Sequence, residues 1–205
     1  MSNTDIQKTA RDVIELEARA LLKMAECLPK DLPDVVKAIL SISGRVIVSG
    51  VGKSSHIGNK IAATLASTGT PASFIHATEA SHGDLGMITN SDLCLLISNS
   101  GETSELHDII AHTRRFGIPM AAISSKYEST LMKSADYKLL ITEAPEACSI
   151  GMAPTTSTTL TLAIGDALAV ALMENRNFKP EDFKVFHPGG RLGTQMATVS
   201  QLMHT

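Results

Sequence analysis

The stretch "RVIVSGVGKSSHIGNKIAATLAS", Arg45 to Ser67, sets an apolar run against a glycine turn and then a helical pattern, and the reading of that turn decides the fold. A P-loop needs a glycine five positions before the glycine of its Gly-Lys-Ser, and counting back from Gly52 reaches Ile47, inside the apolar run. The dinucleotide fingerprint fails as well, because after Gly50 and Gly52 its third glycine position holds Ser55. What remains is a strand, a tight turn and a helix start carrying Lys53, Ser54 and Ser55. Such a turn still favours an anion, through free backbone N–H groups and the positive end of the helix dipole.

Outward from this unit the same alternation continues. Apolar runs at Val46–Ser49, Ser73–His76, Leu93–Ser98, Met120–Ser124 and Tyr137–Thr142 each have strand length, and helical patterns separate most of them. Runs such as "LCLLIS" fit strands covered on both faces, and right-handed crossovers then place helices on each side. The expected fold is an α/β three-layer sandwich with a five-stranded parallel sheet flanked by helices. Ahead of the sheet, Thr4 and Gln7 predict a capping box for a first helix with apolar positions Val13, Leu16, Ala20, Met24 and Cys27, ending near Pro29. Pro33 opens a second, short helix presenting Val36, Ile39 and Leu40 and stopping at Gly44, and a long helix is predicted from about Thr156 to Glu174.

The whole chain narrows the function classes. Its 205 residues, 43% hydrophobic, suit one domain of ordinary size. With 18 basic and 21 acidic residues and no basic block, nucleic acid is not an expected partner. Cys27, Cys94 and Cys148 are widely spaced and odd in number, so neither a disulfide framework nor a structural zinc cluster is suggested, and a reducing cytoplasm is the expected location. Charge from the fifth residue onward argues against a signal peptide, and no apolar run reaches membrane length, so a soluble protein without a membrane partner is expected. With no Trp, two Tyr and five Phe, the core must be aliphatic.

In open parallel sheets ligands bind beyond the carboxyl ends of the strands, and the polar motifs fall in those loops. "SNSGETSEL" groups Ser98, Ser100 and Thr103 around a glycine at an expected helix start. Helix capping accounts for one serine, whereas three hydroxyls with free N–H groups read as an anion site. Glu102 and Glu105, three apart, would share a face of that helix, either as first-turn acids favoured by the dipole or as a base above a bound phosphate. "IHATEASHGDLGM" brings His76, Glu79, His82 and Asp84 to a strand end without zinc-enzyme spacing, which favours hydrogen-bonding or proton-transfer roles over a metal. "EAPEACSIGMAPTTSTT" adds Glu143, Glu146 and the hydroxyls of Thr155 to Ser157, for which helix capping is a sufficient account. "HPGGRLG" sets His187 and Arg191 in a turn whose Gly189, Gly190 and Gly193 suggest a shaped loop. Lys53 opposes the dipole of the helix it starts, so a role in neutralising a phosphate or a developing enolate is favoured over a surface position.

Taken together and in this order, "SGVGKS", "HGDLG", "SNSGET", "APTTSTT" and "FHPGGRLG" resemble the sugar isomerase (SIS) domain of arabinose-5-phosphate isomerases, over nearly the whole chain. The resemblance implies a flavodoxin-like SIS domain at residues 1–197, with 198–205 standing where family members commonly begin a CBS region that is here truncated or absent. It implies interconversion of D-ribulose 5-phosphate and D-arabinose 5-phosphate, the latter feeding synthesis of Kdo for lipopolysaccharide or capsule. Carried over by position, its catalytic residues are Lys53, His82, Glu105, Glu146 and His187. Its substrate-binding residues are Ser54, Gly69, Thr70, Ser98, Asn99, Ser100, Thr103, Thr142 and Glu143, with an inhibitory zinc at His76. A homotetramer is implied, with His187, and His82 as a further candidate, reaching the site from a neighbour.

The chemistry requires removal of a weakly acidic C–H proton, support of an enediolate and return of the proton to the adjoining carbon. Glu105 is expected as the base, Lys53 as the oxyanion partner, and His82 or His187 for ring opening; no metal or organic cofactor is required. The rivals are an isomerase of the same fold acting on heptose or hexulose phosphates, and a non-catalytic sugar-phosphate sensor.

Overall fold

A computed structural model describes residues 3–187. Five strands, β1 (Val46–Gly50), β2 (Ala72–Phe74), β3 (Leu93–Ile97), β4 (Met120–Ser124) and β5 (Tyr137–Leu140), form a parallel sheet in the order β2-β1-β3-β4-β5. Parallel pairing in register, with Val48 beside Phe74 and Leu95, Leu95 beside Ala121 and Ala121 beside Tyr137, brings all the carboxyl ends to one edge. The five-stranded parallel α/β sandwich expected from the alternating runs is therefore the fold observed.

Side chains on a strand alternate between faces, and the core divides accordingly. Val46, Val48, Leu93, Leu95, Ile97, Ala121 and Ile123 pack with α1 (Asn3–Glu26), α2 (Leu32–Ser41), α3 (Lys53–Ser67) and α7 (Thr156–Asn175). Ile47, Cys94, Leu96, Met120 and Ala122 pack on the other side with α4 (Ala77–Ala80), α5 (His107–Phe116) and α6 (Thr130–Ser134). Among the described residues α7 is the helix long and apolar enough to cross a membrane. In this fold it buries Leu160, Ile164, Leu168, Ala169 and Leu172 in the core against α3 and α1. Gly165 permits that approach, since a Cβ there would collide with the side chain of Ile61 on α3. The short α8 (Pro180–Phe186) follows.

Several boundaries differ from the sequence reading. Thr4 lies inside the first turn of α1 rather than capping it, and Cys27 stands exposed beyond the helix end. β2 stops at Phe74, which frees His76 to cap α4, and β5 stops at Leu140. The buried Cys94 thiol is pushed up to about 12 by burial first and by the nearby Asp92 carboxylate second, so it behaves as a small core hydrophobe. Arg191, the glycines around it and the 198–205 segment lie outside the described residues.

Candidate functional site

The loop after β3 is tied at every position. Ser98 is 3% exposed, its Oγ accepts the Gly101 N–H at 3.0 Å, and it lies 2.8 Å from Thr103 Oγ1 and 3.5 Å from Ser100 Oγ. The Asn99 carbonyl accepts the hydroxyls of Ser124 and Ser125 at 3.1 and 3.0 Å. Gly101 takes φ +69°, and a Cβ on it would run into the Ser129 side chain. The three hydroxyls are therefore gathered as expected, and the backbone that carries them is held in one shape.

The helix expected to start in this loop begins later. A 3-10 turn spans Ser104–Leu106 and α5 starts at His107, so Glu102 and Glu105 do not share a helix face. Glu102 instead turns away, its Oε1 accepting the Thr130 N–H at 2.8 Å, a bond that stabilises its ionised form. Glu105 is exposed, with the Ser104 hydroxyl donating to Oε2 at 3.0 Å. Its carboxyl is held below the ordinary value by its own backbone N–H first and by Ser104 next, with a smaller contribution from the neighbouring His76.

His76 caps α4, its Nδ1 accepting the Thr78 N–H at 3.3 Å, which leaves Nε2 as its free ring nitrogen. Among the described residues no group of three or more His, Cys, Asp or Glu is placed to hold a metal ion, so these residues form no closed zinc site around His76. His82 stands exposed in the turn after α4, its N–H bonded to the Glu79 carbonyl at 2.9 Å.

A cleft of about 380 Å³ opens beside the hydroxyl loop, on the other face of the sheet edge. Lys53 and Ser54 of α3, Asn99 and Glu146 line it together, and Ser157, Thr158 and Thr161 of α7 form its far wall. The amino terminus of α3 and the Lys53 side chain thus open onto this space, a setting suited to an anionic ligand, whereas the start of α7 already faces the Glu146 carboxylate. Thr158 and Thr161 escaped the sequence reading, although hydroxyls spaced along one side of an otherwise apolar helix are a legible sign.

Glu146 is the most heavily bonded carboxylate here. Its Oε2 accepts the Thr155 N–H at 2.7 Å, the Thr155 hydroxyl at 3.1 Å and the Ser157 N–H at 3.2 Å, while Oε1 accepts the Ser157 hydroxyl. Burial works to raise its pKa, and the bonds from Ser157 and Thr155 outweigh burial and hold it below the ordinary value. Close by, the Cys148 sulfur accepts the N–H groups of Met152 and Ala153 at 3.2 and 3.1 Å, and Thr155 Oγ1 accepts that of Ala147 at 2.8 Å. Glu143 pairs with Lys126 at the surface, and Thr142 is half-buried just beyond β5.

Gly69, Thr70 and His187 are not brought to this edge. Gly69 and Thr70 precede β2 and so stand at the amino ends of the strands, where the larger cleft, about 720 Å³, includes Gly44, Gly69, Asp92 and Phe186. From the Glu146 end, α7 carries the chain away over 20 residues, roughly 30 Å at 1.5 Å per residue. Arg176 Nε then donates to Thr70 Oγ1 at 3.2 Å, and a Cβ on Gly69 would touch the ring of Phe178. His187 follows α8 directly, stacked on Phe183 with centroids 3.9 Å apart and bonded to the Phe183 carbonyl at 2.9 Å. Within one chain these three residues and Lys53 occupy opposite ends of the sheet.

Comparison with known proteins agrees with this architecture. The profile of the SIS domain family matches residues 39–171. The chain is 50% identical over 202 residues to the arabinose 5-phosphate isomerase KdsD of Yersinia pestis and 45% identical to that of Escherichia coli K12. These alignments take in 98% of the chain and 62% of each relative, so the chain spans about three-fifths of the length of these curated relatives. Among solved structures, an Escherichia coli CFT073 protein in complex with arabinose 5-phosphate is 39% identical with a TM-score of 0.89, covering 92% of this chain and 100% of that one. The Vibrio vulnificus NanR protein complexed with ManNAc-6P is 20% identical with a TM-score of 0.72 and shares the fold alone. The motif order, the sheet topology and these relatives agree, and the chain belongs to the SIS domain family.

Proposed function

We propose that this chain is an aldose–ketose isomerase that interconverts D-ribulose 5-phosphate and D-arabinose 5-phosphate through an enediolate. The observation that carries the reading is the position of Asn99, whose carbonyl anchors the hydroxyl loop while the residue also lines the Lys53 cleft. A phosphate held by Ser98, Ser100 and Thr103 therefore leaves the sugar chain beside that cleft. The name of the isomerase relatives and the arabinose 5-phosphate held by the E. coli CFT073 protein support this substrate.

In this reading the hydroxyls and N–H groups of the loop fix the phosphate, and Glu105 carries the proton between C1 and C2. Its exposed carboxylate has few fixed donors compared with Glu146, which suits a base. Lys53 supplies positive charge to the enediolate oxygens, and His82 or His187 opens the ring and moves the hydroxyl protons. Because His187, Gly69 and Thr70 stand at the far end of their own chain, they serve the site of a neighbouring copy in a homotetramer. The product supplies Kdo synthesis, for lipopolysaccharide or capsule, in the cytoplasm.

The test is incubation with ribulose 5-phosphate and identification of the product. Arabinose 5-phosphate should form, and should form equally in a chelator. Ligand-dependent stabilisation without turnover would instead make the chain a sugar-phosphate sensor, and formation of a different sugar phosphate from a hexulose or heptose substrate would reassign its specificity.

A further inference from the structure

We infer that Glu146 is a positioning residue, which builds the wall of the Lys53 cleft by capping α7, and that it does not carry a proton in the reaction. The inference rests on the isomerase reading above. Both carboxylate oxygens are committed to the chain's own donors, three on Oε2 and the Ser157 hydroxyl on Oε1. A general base must instead present a lone pair to the substrate C–H. Two of the four donors are backbone N–H groups at the start of α7, groups that have no partner within the helix. A carboxylate there satisfies them and complements the helix dipole.

The consequence reaches the cleft through two connections. Ser157 lines the cleft and donates both its N–H and its hydroxyl to Glu146, so the carboxylate fixes where the first turn of α7 faces Lys53. Thr155 donates both its N–H and its hydroxyl to Glu146 and accepts the Ala147 N–H, while Cys148 accepts the N–H groups of Met152 and Ala153. The 147–154 segment is thus closed on itself, and its Met152 and Pro154 form part of the cleft wall. Glu146, Cys148 and Thr155 supply the acceptors that hold this wall, and in the isomerase reading Glu105 is the carboxylate that acts on carbon.

Gln at position 146 keeps a carbonyl acceptor for the two N–H groups and removes the ability to take a proton, which separates the two roles. Turnover of arabinose 5-phosphate by the full chain is measured for wild type, Glu146→Gln, Glu146→Ala and Ser157→Ala, with kcat, KM, the pH profile of kcat/KM and the melting temperature for each. A positioning role gives Glu146→Gln a kcat within about tenfold of wild type, the scale of one neutral hydrogen bond, with a raised KM. Glu146→Ala then raises KM further, and the acidic limb stays where it was in every active variant. A merely structural residue would lower the melting temperature and leave KM alone, which overturns the inference. So does a kcat loss of roughly 10²–10⁴-fold in Glu146→Gln at unchanged substrate affinity, the signature of a lost proton carrier. Should Glu146→Gln fail to fold, Ser157→Ala decides. Losing that hydroxyl raises the carboxyl pKa of Glu146, so an acidic limb that moves to higher pH identifies Glu146 as the base, and an unmoved limb with raised KM upholds positioning. A silent wild-type enzyme overturns the isomerase reading itself, and this inference with it.

Discussion

The Nε–H of Arg176 donates to Thr70 Oγ1 at 3.2 Å, tying the chain beyond α7 to the loop before β2. That tie sets the end of the molecule at which α8 and His187 stand, opposite the loops that carry Lys53 and Glu105. If all of these residues serve one site, that site is assembled from two copies. Mixing an inactive Glu105→Gln subunit with an inactive His187→Ala subunit then creates some sites with neither defect. Activity is expected to return after the two are refolded together. Co-assembly shown by mass with no return of activity would place the action of His187 within its own chain.

The fold was legible because the strands advertise themselves as short, almost wholly apolar runs, and a buried parallel sheet has no other way to be written. The hydroxyl loop was legible too, since its residues are neighbours in sequence. Long-range ties were not. Glu102 is turned out of the site by a bond to Thr130, 28 residues away, and no local pattern announces that. Glu146 bonds donors nine and eleven residues further on, so its capping role shows only when the intervening loop is closed. Gly69 and Thr70 were grouped with Lys53 by resemblance, which conveys residue identity and not the end of the sheet a residue occupies.

The hydroxyl loop makes two predictions of different kinds. Ser100 is exposed and its Oγ accepts the Glu102 N–H at 3.2 Å, so Ser100→Ala should fold normally. If this loop holds the phosphate, the change removes one hydrogen bond to a charged group, about 1.5–3 kcal/mol, seen by calorimetry as roughly a ten- to hundredfold weaker sugar-phosphate affinity. Gly101→Ala should instead fail by strain, because its φ of +69° and the Ser129 side chain both exclude a Cβ. A loss of about 1–3 kcal/mol in chemical denaturation is expected, with the phosphate site distorted. Unchanged affinity in Ser100→Ala would locate the phosphate elsewhere.

The pH profile should report Glu105. Its carboxyl lies below the ordinary value because its own N–H and the Ser104 hydroxyl stabilise the anion. If this carboxylate is the base, the acidic limb of kcat/KM falls below the usual carboxylate range, and turnover declines as pH drops through it. Ser104→Ala removes one of the stabilising bonds, so the limb should move to higher pH with little change above it. A limb that ignores Ser104 would assign the base to another residue.

Stability in acid should depend on Asp136, which lies far from the proposed chemistry. Arg114 donates to both of its oxygens, Nη1 to Oδ1 at 2.8 Å and Nη2 to Oδ2 at 2.6 Å, and the Met120 N–H adds a third bond at 2.8 Å. These partners, Arg114 foremost, hold the carboxyl below its ordinary value. The unfolded chain therefore binds the proton more readily than the folded one. The contribution is fully present above the ordinary aspartate value and is lost as pH falls through the lower, folded value. Both side chains are about two-fifths exposed, 41% and 40%, so solvent screening reduces the ion-pair share and the Met120 bond accounts for much of the rest. Asp136→Asn is expected to cost about 1–2 kcal/mol at neutral pH. Its stability should also decline less than that of the wild type between neutral pH and the acid range. Denaturant titrations of the two proteins at a series of pH values measure the difference, and parallel curves throughout would show that the Arg114–Asp136 pair contributes nothing that the proton can remove.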